Sequence, residues 1–260
     1  MPQNDLVAIV IPVYNCQKYV NISVNSCLSQ DYDNVAVIIC DDSSTDDTLR
    51  VVYSIKSNHL HLLSNKKNRG ASVSRNKGVE YATKIGAKYI HFFDGDDVAE
   101  PNMISSKLHL FKNNLVGVVY SDYYNMNDDE TIASTEIKPC FDRDRLLESN
   151  YISMISMART ECINNAGGLN EHLTFGEDWL LWQNITRSKI AVRVPEPLFS
   201  YRMNPDSQTR KVDWQEYQLD MQIITAQKMI WDGTGNFAGL ACAQNNKAKY
   251  MFCKRCGVNE

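Results

Sequence analysis

Five short apolar runs punctuate the first half of the chain and decide its fold class: Leu6 to Val13, Val35 to Cys40, Leu60 to Leu63, Tyr89 to Phe93 and Val116 to Tyr120. They are rich in Val, Ile, Tyr and Phe, and most are almost wholly apolar, as strands buried on both faces must be. The stretches between them are long enough for a crossover helix each time. Val20, Val24, Cys27 and Leu28 form one apolar stripe, and Thr45 followed by Asp46 and Asp47 reads as an N-cap with first-turn acids before Leu49, Val52 and Ile55. Ser74, Gly78 and Ala82 lie at i, i+4 spacing and give a small-residue face suited to close packing on a sheet. This alternation predicts an α/β fold, a Rossmann-like, mostly parallel sheet flanked by helices on both faces. In such sheets ligands bind beyond the carboxyl ends of the strands.

After residue 121 the pattern loosens. Asn125 to Glu136 is polar and reads as a loop, and Ile190 to Val194 reads as a further strand closed off by Pro195 and Pro197. Trp214 to Trp231 predicts a long helix with two apolar stripes, Trp214, Tyr217, Met221, Ile224 and Trp231 on one and Leu219, Ile223, Ala226 and Ile230 on the other. A helix apolar on two sides has two partners. Burial against its own domain is the expectation, with a homo-oligomer or peripheral membrane contact as the alternative. The organisation expected is a main domain over residues 1–210 and a C-terminal helical extension with its tail over 211–260.

Charge removes some function classes. Acids outnumber bases 31 to 27 in the 260 residues, giving a formal charge of −4, so the basic excess of a general nucleic-acid binder is missing. No apolar stretch reaches the roughly 18 residues of a membrane span, and the start Met-Pro-Gln-Asn-Asp carries no basic region of a signal peptide. The eight cysteines are mostly scattered through apolar contexts, which suits reduced thiols and a cytoplasmic location. Cys253 and Cys256 make one Cys-x-x-Cys, with only Cys242 near enough to be a third ligand, one short of a structural zinc site.

The chemistry is concentrated where the apolar runs end. Asp41-Asp42-Ser43-Ser44-Thr45-Asp46 follows the second, Asp94-Gly95-Asp96-Asp97 the fourth and Asp122 the fifth. Three acidic tips on one sheet edge repel one another unless a cation sits among them, and a divalent metal is the economical answer. Asp94 and Asp96 place two carboxylates on the same side of an extended segment, and Gly95 between them lets backbone approach a ligand. Hard oxygen donors suit Mg²⁺ or Mn²⁺, completed by substrate phosphates. No Gly-x-x-x-x-Gly-Lys-Ser/Thr and no Gly-x-Gly-x-x-Gly is present, which argues against a P-loop NTPase and a dinucleotide-dependent dehydrogenase.

Seven segments in order resemble glycosyltransferase family 2, whose members have the GT-A fold. They are Ile9 to Asn15, Asp41 to Asp46, Asn68-Arg69-Gly70 leading to Ser74 to Gly78, Phe92 to Asp97 with its Asp-x-Asp, Gly167 to Glu171, Phe175 to Trp182, and Pro195 to Arg202. The resemblance spans about residues 6 to 209. It implies a metal-dependent, inverting transfer of sugar from a nucleoside-diphosphate sugar to a hydroxyl of a glycan, lipid-linked or protein acceptor. Pro12, Tyr14 and Asn15 would border base and ribose, and Asp41 would accept a base N3–H, which favours uridine. Arg75 would approach the pyrophosphate or sugar, Asp94 the ribose or metal, and Asp96 the metal. Asp178 would be the catalytic base with Glu177 beside it. Arg202 and Ser207 would help bind the diphosphate from a flexible loop.

The sequence departs from the family at one place. Many relatives carry His just after the Tyr-Arg pair, where Met203 and Asn204 stand here. No histidine is therefore expected to ligate the metal; His59, His61, His91, His109 and His172 read as structural or surface residues. Two other readings compete. A sugar nucleotidyltransferase should show a Gly-rich basic loop after the first strand, where Tyr14-Asn15-Cys16 stands. An inactive nucleotide-sugar-binding module should have lost Asp96 or Asp178, and both are kept.

Overall fold

The structure, a computed structural model, describes residues 4–204, 213–231, 243–244 and 246–247. The first half alternates β1 (Val7–Val13), α1 (Val20–Leu28), β2 (Val35–Asp41), α2 (Thr48–Ser54), β3 (Leu60–Ser64), α3 (Ala71–Lys84) and β4 (Tyr89–Phe92). There follow β5 (Val98–Ala99), α4 (Met103–Leu108), β6 (Val116–Met126), β7 (Ile132–Glu136), α5 (Arg143–Glu148), β8 (Met157–Arg159), α6 (Thr160–Asn165), α7 (Glu177–Thr186), β9 (Ile190–Arg202) and α8 (Trp214–Trp231).

One sheet takes the order β3-β2-β1-β4-β8-β6-β9-β5, with β7 on the outer half of β6. β1 to β4 pair in parallel, and so do β6 and β9. β8 lies antiparallel to both β4 and β6, so those two strands point the same way across it. The sheet is therefore mostly parallel, as the βα alternation predicts.

Successive residues of a strand face opposite sides, and both sides here are covered. Val7, Ile9, Ile11 and Val13 of β1 pack with Val20, Val24 and Cys27 of α1 and Met103 and Ile104 of α4. Ala8 and Val10 face the other way, with Val79 and Ala82 of α3 and Trp182 and Ile185 of α7. This is why the runs are continuous rather than alternating. Gly78 lets α3 lie close: a Cβ there would stand 2.4 Å from Val10 Cγ1 and 2.9 Å from Cys40 Sγ. His91 is structural, fully buried with Nδ1 at the Phe92 carbonyl (2.7 Å) and Nε2 at Lys107 Nζ (2.9 Å).

Four expectations are corrected. First, α2 begins at Thr48, so the N-cap position falls on Asp47 rather than Thr45; Asp47 makes no side-chain capping bond, and it is Asp46 Oδ1, one residue earlier, that accepts from the Thr48 amide at 2.9 Å. Second, Asn125 to Glu136 is a hairpin, the end of β6 turning into β7; its tip is tied to the start of α1 where Asp128 accepts from Lys18 Nζ (2.5 Å) and Tyr19 OH (2.6 Å). Third, β9 runs through both prolines. The register with β6 shifts there, from Ser121 opposite Val194 to Asp122 opposite Pro197, and this irregularity accommodates residues that have no N–H to donate. Fourth, Asp122 does not share a cation with the other acidic tips. It is buried inside the sheet, held by both ends of the Arg193 guanidinium (2.8 and 2.5 Å) and by the Lys138 amide (2.9 Å).

Candidate active site

A cavity of about 800 Å³ opens at the carboxyl ends of β1, β2 and β4, where the chain leaves the sheet. Its first wall is Pro12 at the end of β1 with Tyr14 and Asn15 just after the strand. Asn15 adopts a left-handed φ of 50°, tolerable for Asn. It stitches this loop to the next, accepting from the Thr45 amide through Oδ1 (2.8 Å) and donating its own amide to Ser44 Oγ (3.1 Å).

The Asp41-Asp42 pair divides its work. Asp41 is buried, its carboxylate accepting from the Ser43 and Ser44 amides at 3.2 and 3.1 Å, and it does not line the cavity. Asp42 does line it, and accepts from the amides of Arg69 (3.0 Å) and Gly70 (2.7 Å), which fixes the entry to α3. Sequence reading singled out Asp41 alone, because nothing in two adjacent acids tells which one faces the cleft.

Past β4 the loop Asp94-Gly95-Asp96 forms the floor. Gly95 is there for packing, since a Cβ would stand 3.0 Å from Val13 Cγ1 and 3.4 Å from the Pro12 carbonyl. Burial and the neighbouring Asp94 push the Asp96 carboxyl up to about 6, against a hydrogen bond from the Asn204 side chain that holds it down. Asp97 behind it is fully buried, accepts from the Arg202 amide at 2.8 Å, and is pushed up by burial and by Asp96 and Asp94. Its Oδ2 has no partner among the described residues. This is a crowd of acids with too little positive charge.

Arg202 is not on a flexible loop and does not reach the cavity. It is the last residue of β9, 1% exposed, and donates through Nε to the Asp96 carbonyl at 2.8 Å while its guanidinium lies over the Tyr19 ring at 4.6 Å. It braces the acidic loop from behind. Ser207 lies outside the described residues, as do Cys242, Cys253 and Cys256. Cys16 borders the cavity but burial pushes its thiol up to about 12, so it is protonated and a poor nucleophile.

The opposite wall is the start of α7. Gly176 in the left-handed region (φ 75°) turns the chain into the helix, and Glu177 and Asp178 open it, where the helix dipole favours acids. Asp178 Oδ1 accepts from Asn150 Nδ2 at 3.0 Å and from the Trp179 amide at 2.7 Å, while burial raises its pKa. Glu177 is pushed up to about 7 by burial and by Asp178. Arg75 on α3 joins the two walls: one Nη donates to Asp94 Oδ1 (2.7 Å), the other to Glu177 Oε1 (3.1 Å). Asn150, which no motif marked, lies in a stretch without pattern; only the folded chain brings it to Asp178.

A curled, mostly parallel sheet with acids at the strand ends on one side and a helix-borne acid pair on the other is the GT-A architecture of sugar transferases. The chain belongs to glycosyltransferase family 2: the model described as Glycosyl transferase family 2 matches residues 8–166. Among curated relatives, the UDP-Glc:alpha-D-GlcNAc-diphosphoundecaprenol beta-1,3-glucosyltransferase WfaP of Escherichia coli is 33% identical over 195 residues, covering 73% of each chain. Chondroitin synthase of E. coli is 30% identical over 184 residues, which are 70% of this chain but only 26% of that enzyme. The crystal structure of S. aureus TarS 1-349 with UDP-GlcNAc superposes with a TM-score of 0.70 at 18% identity, over 86% of this chain and 66% of that one. The mannosyltransferase PcManGT of Pyrobaculum calidifontis, in complex with GDP-Man and Mn²⁺, gives 0.63 at 16% identity over 98% and 76%. The protein is a glycosyltransferase.

Proposed function

We propose that the enzyme transfers a hexose from a UDP-sugar, with inversion, to a hydroxyl of a sugar carried on a diphosphate-linked lipid. The observation that carries this is the two-sided cleft: Asp94 and Asp96 on its floor, Asp178 facing them from the start of α7. The lipid-linked acceptor is taken from WfaP and from the related glucosyltransferase WfgD, 26% identical over 182 residues, whose names state it. No helix among the described residues is long and apolar enough to cross a membrane.

The acceptor hydroxyl must lose a proton as it attacks the anomeric carbon. Asp178 Oδ1 is already occupied by two donors, which leaves Oδ2 to take that proton. Burial raises its pKa and so strengthens it as a base. One displacement assisted by one base inverts the anomeric centre. The uridine preference rests on the UDP-glucose donors that the names of WfaP and WfgD state, because Asp41 is buried away from the cavity and its carboxylate is taken up by the two serine amides.

A divalent ion fits the floor: its donors are hard carboxylates, and Asp96, raised by burial and by the neighbouring Asp94, lacks compensating positive charge. Asp96 and the Asp94 oxygen not bonded to Arg75 would hold Mn²⁺ or Mg²⁺, which neutralises charge on a departing diphosphate. Among the described residues no group of three His, Cys, Asp or Glu side chains is placed to hold a metal ion, so this reading needs substrate phosphates to complete the site.

The test is calorimetry of UDP with and without Mn²⁺, paired with a transfer assay from UDP-glucose to GlcNAc-diphosphoundecaprenol. Binding of UDP that strengthens with Mn²⁺, and formation of a β-linked disaccharide lipid, are expected. Equal UDP affinity in chelator would remove the metal; tighter binding of GDP would remove the uridine preference.

A further inference from the structure

The helix beyond the motifs, α8, is bound to the wall of the cleft by a buried polar cluster rather than by apolar contact alone. Asp220 is fully buried. Its Oδ2 accepts from two successive backbone amides, Thr174 (3.1 Å) and Phe175 (3.0 Å), while its Oδ1 is paired with Lys247 Nζ. Lys247 also donates to Thr174 Oγ1 at 3.0 Å, and the Thr174 hydroxyl donates to Glu216. The segment held in this way runs straight into the catalytic wall: Thr174, Phe175 and Gly176 line the cavity beside Glu177 and Asp178.

Packing reinforces the clamp. A Cβ on Gly176 would stand 2.9 Å from Ile224 Cδ1, so α8 presses on the turn that launches α7. The Phe175 ring lies 6.3 Å from that of Tyr217 on α8. A carboxylate fully removed from water is costly unless its bonds are satisfied, and a merely covering helix needs only apolar residues. The cluster is spent on two amides immediately before the acids of α7.

We infer that Asp220 is a positioning residue for transfer, fixing through the Thr174 and Phe175 amides the wall on which the acceptor lies, so that α8 is part of the active site rather than an appendage. This rests on the reading of Asp178 as the base. It separates the two halves of the cleft, because the donor loops after β1, β2 and β4 make none of these bonds.

Three variants decide it. Asp220→Ala removes the acceptor of both amides. Asp220→Asn combined with Lys247→Met removes the charge pair but keeps an oxygen for the amides. Thr225→Ala, on the exposed face of α8, is the control. Each is measured for hydrogen exchange at residues 173–178, for UDP affinity, and for transfer from UDP-glucose to GlcNAc-diphosphoundecaprenol. Asp220→Ala should speed exchange at Thr174 and Phe175 and raise the acceptor KM by about tenfold or more, the scale of charge-assisted hydrogen bonds. UDP affinity and donor KM should stay within about twofold, and the double variant should recover most of the transfer. Loss of UDP binding together with transfer, or a double variant as impaired as Asp220→Ala, would overturn the inference, as would unchanged exchange in Asp220→Ala. If the natural enzyme transfers nothing to this acceptor, the substrate reading fails, while exchange and UDP affinity still decide the clamp.

Discussion

The acids of the cleft set opposing demands on stability and activity, and their protonation shows it. Asp96 is raised from an ordinary 3.8 to about 6 by burial and by Asp94. A carboxyl raised in the folded state binds more protons there than in the unfolded chain, so stability falls as pH rises from about 4 to about 6 and stays low above. Without metal, Asp96→Asn should therefore melt at a higher temperature than the natural protein at pH 8, and the difference should vanish near pH 4. Added Mn²⁺ should raise the melting temperature of the natural protein and not of the variant. A variant less stable at pH 8 would mean that the Asn204 bond outweighs the burial. Asp178 makes the opposite separation: Asp178→Asn keeps the bond to Asn150 but cannot take a proton. Transfer should fall by at least about 10²-fold, the low end for losing general-base help, with UDP affinity unchanged by titration. If Glu177→Gln alone abolishes transfer, the base is one residue earlier.

Among the elements, β6 and β9 carry the half of the molecule that motifs describe least. Their shared ion pair is testable. Arg193→Met leaves Asp122, 3% exposed, without its bidentate partner; the cost should be about 3–5 kcal/mol in urea denaturation. Adding Asp122→Leu to Arg193→Met should return most of that loss; a double variant no better than the single one would show that Asp122 is satisfied by the Lys138 amide alone. The same elements mark where sequence reading stops. The strands β1, β2 and β4 were legible because burial on both faces forces unbroken apolar runs, and Ser74, Gly78 and Ala82 because close packing on β1 forces small residues. β7 was not legible, since Ile132 to Thr135 are exposed on an outer strand that nothing requires to be apolar. The second half of β9 was hidden by Pro195 and Pro197, whose usual effect the register shift absorbs. At the cleft, acids were readable by their place after the strands. Their partners were not: Asn150 sits in patternless chain, and Arg202 carries a motif position yet points behind the floor rather than into the cavity.

At the scale of the whole molecule, the cleft is a seam between two differently built halves of one sheet. The parallel β3-β2-β1-β4 side carries the loops proposed for the nucleotide; β8, β6, β9 and β5 back the side from which Asn150, Tyr123 and Asn204 enter. Saturating UDP with Mn²⁺ should slow hydrogen exchange in residues 12–16, 42–45 and 94–96, and leave 174–178 unchanged until acceptor is added. Protection that appears first at 174–178 would place the nucleotide on the wrong side of the seam. The pairing of β5 with β9 has a further consequence, for synthesis. Ala99 lies opposite Phe199, so the stretch beside the acidic floor finds its neighbour only when the chain is 100 residues longer. At about 5–20 residues per second, that is roughly 5–20 s on the ribosome. During that interval the parallel half already has all four of its strands, while the acidic loop waits for the Arg202 brace that arrives last.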